Sequence, residues 1–578
     1  MTRNVTIGAV AGLAASFLLL PAVGSLAGLA IGVATGIAWP FLFRRSTPAV
    51  ADAAMAGATL GVPLWALLAV VVLPLVHREP PRWTPEAMRA LLPAMVGFVL
   101  FGSALGALAH ALLVGAERLL GPEAVRPIAP DARPRNVVIL GGGFAGVSCA
   151  RELERLLGPD RTVKLTLVSE TNALLFTPML AEVAGSSLEP THISTPLRTT
   201  VRRTAVLRGS VSRVDLEARE VVLAPASGEP ARSLPFDHLV LALGAVTNYF
   251  GSAAVEANAI GFKSLREAVR VRNRVIDAFE RAEREADPER RRALLTFVVA
   301  GGGFAGVELA GALNDFARGM LADYPQLSAG DVRVLLVHAG DRILPELSPR
   351  LAAYALDRLG ERGVELKLGA RVKDARSGAV TLKPAETIAA ETLVWTAGAR
   401  PNPLLASLPV SRDGRGAVVV DAMLAVPGHP GVWAVGDCAA VVDARTGKPC
   451  PPTAQFALRE GRQLARNVFA VLRGGRPRPF HFDSLGALCV IGHQTACAEL
   501  TVPFARERSV RFSGLLAWIL WRAIYLSKLP GLDRKVRVLA DWTIELFFPR
   551  DIVQTGDADD VGPPMRNASV PAAASAQR

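Results

Sequence analysis

A six-residue glycine turn occurs twice in this chain. Gly141-Gly-Gly-Phe-Ala-Gly146 returns unchanged as Gly301-Gly-Gly-Phe-Ala-Gly306. Each copy follows a β-type apolar run, Asn136–Leu140 and then Leu295–Ala300, and each opens a helical pattern, from Val147 and from Val307. Strand, glycine turn and helix in this order suit a dinucleotide. The first glycine makes the tight turn, the second lets backbone approach the pyrophosphate, and the third lets helix and strand close up. The helix start offers unpaired N–H groups and the positive end of its dipole to the phosphates. The predicted cofactor contacts are Gly141, Gly143, Phe144, Ala145 and Gly146 in the first copy, and Gly301, Gly303 and Gly306 in the second. Two such sites in one chain suggest a flavin and a nicotinamide facing each other.

The two copies differ beyond their glycines. The strand Val163–Ser169 ends at Glu170, a carboxylate that would accept hydrogen bonds from a ribose hydroxyl. The second unit's strand, Val332–Val337, runs into His338, which leaves NADH and NADPH both open. Gly431-Val-Trp-Ala-Val-Gly-Asp437 reads as a strand ending in Gly-Asp, with Asp437 against the ribityl chain of a flavin. Glu308 lies on the first turns of the second glycine-turn helix. It is the candidate for hydrogen bonding on the nicotinamide side and for handling protons, a helix-dipole carboxylate being the alternative.

The N-terminal part is a different material. Val5 to Phe43 carries no charged residue and is about twice the ~20 residues that cross a bilayer. A break at Pro21–Ser25 would turn a helical hairpin, and apolar stretches at Ala53–Val76 and Leu91–Val114 complete an expectation of four transmembrane helices. Their many glycines and alanines suit close packing in lipid. Arg44 and Arg45, then Arg118, Arg126, Arg133 and Arg135, put both flanking segments in the cytoplasm by the positive-inside rule. The loop His77–Arg89 then lies outside despite its own arginines, which keeps three spans open. Near the other end, Arg511–Phe548 mixes Trp518, Trp521, Tyr525 and Trp542 with Lys528, Arg534, Lys535 and Arg537, the pattern of interfacial helices lying among lipid headgroups. The formal charge of +12 suits an anionic membrane surface or nucleic acid; no nucleic-acid motif is present, so the membrane is preferred. Five scattered cysteines make neither a C-x-x-C pair nor a zinc spacing, so no metal is expected and the thiols read as reduced.

These residues resemble type II NADH dehydrogenase, the single-chain FAD-dependent NADH:quinone oxidoreductase. The resemblance covers about Asn136 to Gln554. It is carried by the second glycine turn through Glu308, by Leu174–Leu180 with Thr177, and by Leu241–Gly251 with Gly244. Trp395-Thr-Ala-Gly398, Val435-Gly-Asp437 and the Trp-rich C-terminal segment carry the rest. It implies FAD at the first turn, NAD(P)H at the second, and a membrane quinone near Ala454, Gln455, Phe456 and Ala457. The family motif A-Q-x-A-x-Q reads Ala454-Gln-Phe-Ala-Leu-Arg459 here, so an arginine stands at the second glutamine, and His338 stands where an acid is usual.

The organisation expected is α/β: two Rossmann-like dinucleotide-binding domains, preceded by an all-α transmembrane bundle and followed by a C-terminal amphipathic anchor. The boundaries are 1–118 for the helices, 119–135 for a linker, 136–264 and 399–475 for the FAD domain, 265–398 for the NAD(P)H domain, 476–554 for the anchor and 555–578 for a disordered tail. The expected activity is hydride transfer from NADH to FAD and electron transfer to quinone without proton pumping, in the cell membrane with the flavoprotein part facing the cytoplasm. A homodimer is left open. A disulfide reductase lacks its cysteine pair, whereas a sulfide:quinone oxidoreductase and a non-enzymatic membrane redox sensor stay as alternatives.

Overall fold

The computed structural model describes residues 2–19, 25–42, 50–76, 78–82, 84–120, 134–225, 231–376, 378–502 and 505–555. Outside them lie Pro21 to Gly24 of the expected first turn, Arg44, Arg45, Arg126 and Arg133, most of the linker, and the tail beyond Thr555. The chain divides into two compact units: Met1–Val125 with Leu488–Ala498 and Arg511–Thr543, and Arg126–Ala487 with Glu499–Val510 and Ile544–Arg578.

The larger unit holds two five-stranded parallel sheets. The first runs Val432–Ala434, His238–Leu241, Arg135–Leu140, Val163–Ser169, Ala205–Arg208. The second runs Ile260–Gly261, Thr392–Trp395, Thr296–Ala300, Arg333–Val337, Val364–Lys367. Their central strands end in apolar runs, Val137-Val-Ile-Leu140 and Phe297-Val-Val-Ala300, all buried, as sheets covered on both faces require. The second sheet is inserted into the first. The chain leaves after Leu241 and returns at Val432, and its two crossings pair as an antiparallel ribbon, Ala245–Thr247 with Ala399–Pro401. Within this unit a C-terminal strap is tied to the helix Leu265–Ala282. The buried Arg272 donates to Thr555 Oγ1 at 3.3 Å and Asn273 Nδ2 donates to the Thr555 carbonyl at 2.7 Å, while the Thr555 N–H returns to Asn273 Oδ1 at 3.3 Å.

The other unit is helical and glycine-zipped. Val50–Val76 and Leu92–Ala116 are long and apolar enough to cross a membrane; Val5–Leu19 and Ala27–Pro40 are apolar but shorter, against the four full spans expected. Antiparallel pairs pack backbone to backbone. A Cβ on Gly8 would meet the Gly36 carbonyl at 2.2 Å, one on Gly12 the Gly32 carbonyl at 2.1 Å, and one on Gly57 the Gly102 carbonyl at 1.8 Å. Each helix thus carries a small-x-x-x-small pair, the device that lets helices close up where no hydrophobic force drives them together. Trp65, Phe98, Phe101 and Leu105 fill the core, and Trp65 Nε1 donates to the Leu91 carbonyl at 3.1 Å. The C-terminal helix Leu515–Lys528 packs beside Val50–Trp65, with Leu516 against that core, so the two ends of the sequence build one unit. Gly57→Ile should force the pair apart and lower stability by about 3 kcal/mol or more. Gly115→Ile, where a Cβ would meet nothing within 4 Å, is the control. Thermal melts in detergent check it, and equal melting temperatures would sink it.

Candidate active site

Both glycine turns fold alike. Each N–H of the leading glycine joins its sheet: Gly141 donates to the Val168 carbonyl and Gly301 to the Val337 carbonyl, both at 2.8 Å. Gly141 and Gly301 have φ of +115° and +120°, in the region that favours glycine. A Cβ at Gly146 would meet the Gly141 carbonyl at 2.0 Å, and one at Gly306 the Gly301 carbonyl at 1.7 Å. At Gly143 and Gly303 a Cβ would meet no protein atom within 4 Å. These two glycines are the N-caps of the helices Phe144–Leu157 and Phe304–Met320. Each turn is therefore a tight cradle whose middle glycine opens onto empty space at a helix N-terminus, the shape a pyrophosphate requires.

Strand register corrects one equivalence. Leu140 pairs with Val168, and Ala300 with Val337, so His338 corresponds to Ser169, and Glu170 to Ala339. A Cβ on Gly142 would meet Ser169 Oγ at 2.5 Å, as one on Gly302 would meet the His338 ring at 2.6 Å. The acid Glu170 lies one residue beyond the position under the turn and is exposed. His338 Nδ1 accepts the Gly302 N–H at 3.1 Å. An accepting Nδ1 carries no proton, so Nε2 holds it and the imidazole presents a donor.

The first cradle is closed from one side by the helix Ala454–Leu472. A Cβ on Gly461 would strike the Ala145 carbonyl at 2.2 Å, and Ser148 Oγ donates to the Leu458 carbonyl at 2.8 Å. This contact brings Gly436 within reach: its Cβ would lie 3.3 Å from Ala145 and 3.8 Å from Ala457. Asp437 follows, half-buried; burial raises its carboxyl above the ordinary aspartate value, with Lys263 opposing. A cleft opens here, lined by Asp437, Thr453, Ala457, Glu460, Arg400 and Arg415 among others. Gly244 and Gly398, at φ +66° and +77°, begin the two crossings that form the antiparallel ribbon. Thr177 is exposed, close after Phe176, whose ring packs edge-on against Phe144 at 5.9 Å.

At the second cradle, Thr396 Oγ1 donates to the Ala300 carbonyl at 2.9 Å, and a Cβ on Gly301 would meet it at 2.6 Å. Glu308 is half-buried on the second turn of Phe304–Met320.

The residues expected at the quinone are engaged with the protein itself. Gln455 Nε2 donates to Ser484 Oγ at 3.3 Å and to the Gly486 carbonyl at 3.2 Å. Phe456 is buried, edge-on to Phe482 at 5.0 Å, and Arg459 stacks over the same ring at 4.8 Å, its pKa pulled down to about 10 by burial. Ala457 is buried and Ala454 half-buried at the helix start. All five cysteines are free thiols.

Glu460 was not singled out from the sequence. It is 3% exposed, and its Oε2 accepts the Gly436 N–H at 2.7 Å. The signal was present: Phe456, Ala457, Glu460, Gly461 and Leu464 share one buried helix face, and an acid on an apolar stripe is out of pattern.

Comparison with known proteins follows the same lines. The pyridine nucleotide-disulphide oxidoreductase family matches residues 135–461, and the NDH2 C-terminal domain matches residues 485–551. Over 439 residues the chain is 34% identical to the type II NADH:quinone oxidoreductase Ndh of Mycobacterium tuberculosis, covering 73% of this chain and 90% of that protein. It is 30% identical to the type II NADH:quinone oxidoreductase of Haemophilus influenzae over 396 residues, 64% of this chain and 88% of that one. The NDH2 from Plasmodium falciparum, solved in complex with NADH, shares the fold with a TM-score of 0.65 at 18% identity, over 73% of this chain and 100% of that one.

Proposed function

This chain belongs to the type II NADH:quinone oxidoreductases of the pyridine nucleotide-disulphide oxidoreductase family, and on that premise we propose how its own residues carry the activity. It moves a hydride from NADH to FAD and two electrons on to a quinone, without proton pumping. The observation that carries the reading is the pair of open cradles at Gly143 and Gly303, each at a helix N-terminus with free space where a Cβ would stand.

Bound at the first cradle, FAD supplies the chemistry: it accepts a hydride and returns two electrons. Gly141 makes the turn, and the backbone N–H groups from Gly143 to Gly146, at the start of the helix Phe144–Leu157, hold its pyrophosphate. Ser169 and Glu170 are the acceptors for the ribose, Asp437 holds the ribityl chain, and Gly244 and Thr177 border the ring. Gly301, Gly303 and Gly306 hold the NADH pyrophosphate, His338 meets the adenosine ribose, and Gly398 lies along the nicotinamide side. Holding both dinucleotides in one orientation makes the transfer effectively unimolecular. Glu308, on the second turn of the helix Phe304–Met320, orients the nicotinamide by a hydrogen bond. The quinone is taken near Ala454–Ala457, a helix start whose Gln455 and Phe456 are held by the protein's own contacts.

We place this work at a membrane. The helical unit exposes Val10, Phe17, Leu67, Leu75, Val96 and Leu100, and Leu532–Ile544 exposes Leu532, Val536 and Leu539 along one face, a lipid-facing stripe. Four membrane-crossing helices, a cytoplasmic flavoprotein part and a C-terminal anchor complete the reading.

Stopped-flow absorbance tests it. NADH should bleach the bound flavin and a quinone should restore it; a flavin that NADH does not bleach overturns the function. Glu308→Gln should slow the bleaching phase about tenfold to a hundredfold, the range of one charge-assisted hydrogen bond of about 1.5–3 kcal/mol, with unchanged flavin content. An unchanged bleaching rate would return Glu308 to a helix-dipole role.

A further inference from the structure

NADH gives up a hydride, which is two electrons and one proton, whereas forming a quinol takes two electrons and two protons. One proton per turnover must come from water. We propose that Glu460 is the station for that proton, taking it up from water when the flavin is reduced and giving it up as the quinol forms. The inference rests on the reading that FAD occupies the first cradle.

Glu460 has the position for this role. It is buried on the helix that closes the cradle, and its Oε2 holds the N–H of Gly436, the residue before Asp437. The cleft that Glu460 and Asp437 both line also takes in Cys450, Thr453, Arg400 and Arg415, and Arg415 is exposed, which gives the carboxyl a route to water. The groups around it are few. Asp437 and Cys438 come from the Gly-Asp turn, Cys450 from the loop before the helix, and Arg459 and Arg462 from the helix itself. Arg459 is stacked on Phe482. Burial is the main cause that pushes the Glu460 carboxyl up to about 7; the Gly436 N–H lowers it and the charge of Asp437 raises it.

The balance closes in two halves. In the first, a hydride leaves NADH for the flavin, which gains one negative charge. That charge raises the affinity of the nearby Glu460 carboxylate for a proton, and one is taken from water. In the second, the quinone receives two electrons and the hydride's proton from the flavin, and the second proton from the Glu460 carboxyl, which returns to carboxylate. The sign is fixed: reduction takes a proton up and reoxidation releases it.

Redox titration of the full-length, FAD-loaded protein between about pH 5.5 and 8.5 tests the idea. The flavin midpoint potential plotted against pH should change slope near neutrality. Glu460→Gln keeps an acceptor for the Gly436 N–H while losing the proton, so it should retain FAD and lose that change of slope. A wild-type plot without the change, or a Gln variant that keeps it, overturns the inference. If the variant releases its flavin, the reduced-minus-oxidised infrared spectrum of the wild type decides. A carboxylic-acid band gained on reduction supports Glu460, and its absence overturns it. A chain that binds no FAD overturns the functional reading itself; a FAD-loaded, NADH-reducible chain without the slope change overturns only this inference.

Discussion

Gly303→Ala should leave the chain folded and loaded with flavin while its affinity for NADH falls about tenfold to a hundredfold. An added methyl at this position meets no protein atom within 4 Å, so the protein alone has nothing to resist it. What it does meet is the space in which a pyrophosphate must touch the start of the helix Phe304–Met320. Pushing the phosphates outward stretches charge-assisted hydrogen bonds worth about 1.5–3 kcal/mol each, and one such bond lost is the stated range. The twin change, Gly143→Ala, should have the same steric innocence and the other consequence: protein purified with little FAD and normal NADH-side glycines. Gly306→Ala separates geometry from ligand, because its Cβ would come within 1.7 Å of the Gly301 carbonyl; it should lower the melting temperature with or without nucleotide. Flavin-to-protein ratio, NADH dependence of the bleaching rate and thermal melts read the three effects apart. Wild-type NADH affinity in Gly303→Ala would remove the second cradle as the nicotinamide site.

What the sequence made legible was whatever one short stretch decides alone. Strand, glycine turn and helix lie within some twenty consecutive residues, so the two parallel sheets and the distinct duties of the three glycines could be read directly. Contacts between distant stretches could not. The hydrogen bonds of Gln455 to Ser484 and Gly486, some thirty residues on, are of this kind. Ser169 rather than Glu170 lies under the first turn because parallel register, not the last apolar letter, decides which residue sits there. The helix Leu515–Lys528 reads as a separate anchor, yet it packs beside Val50–Trp65 at the opposite end of the chain. Glu460 is out of pattern on its helix face, but its partner Gly436, twenty-four residues earlier, is set by the fold.

His338→Glu should lower kcat/KM for NADPH about tenfold to a hundredfold relative to NADH. The register places residue 338 directly under the second glycine turn, beside the adenosine ribose in the proposed pose. The wild-type imidazole spends Nδ1 on the Gly302 N–H, which leaves Nε2, beside Gly340, as its N–H donor. That donor can serve a ribose hydroxyl or a 2′-phosphate, and it carries no negative charge to repel the phosphate. A carboxylate in its place could still accept the Gly302 N–H, so the turn keeps its bond. It would accept from the ribose hydroxyls of NADH and oppose the phosphate of NADPH. At about 5 Å, with an effective dielectric constant between about 20 and 80, each unit of like charge costs about 1–3 kcal/mol, which is the predicted range of discrimination. His338→Gln, neutral and able to donate, should leave the NADPH-to-NADH ratio near that of the wild type. Because the repulsion is electrostatic and the position half-exposed, the Glu variant's preference should shrink as salt is added. A ratio that does not move in His338→Glu at low salt would show that selectivity is set elsewhere on the second cradle.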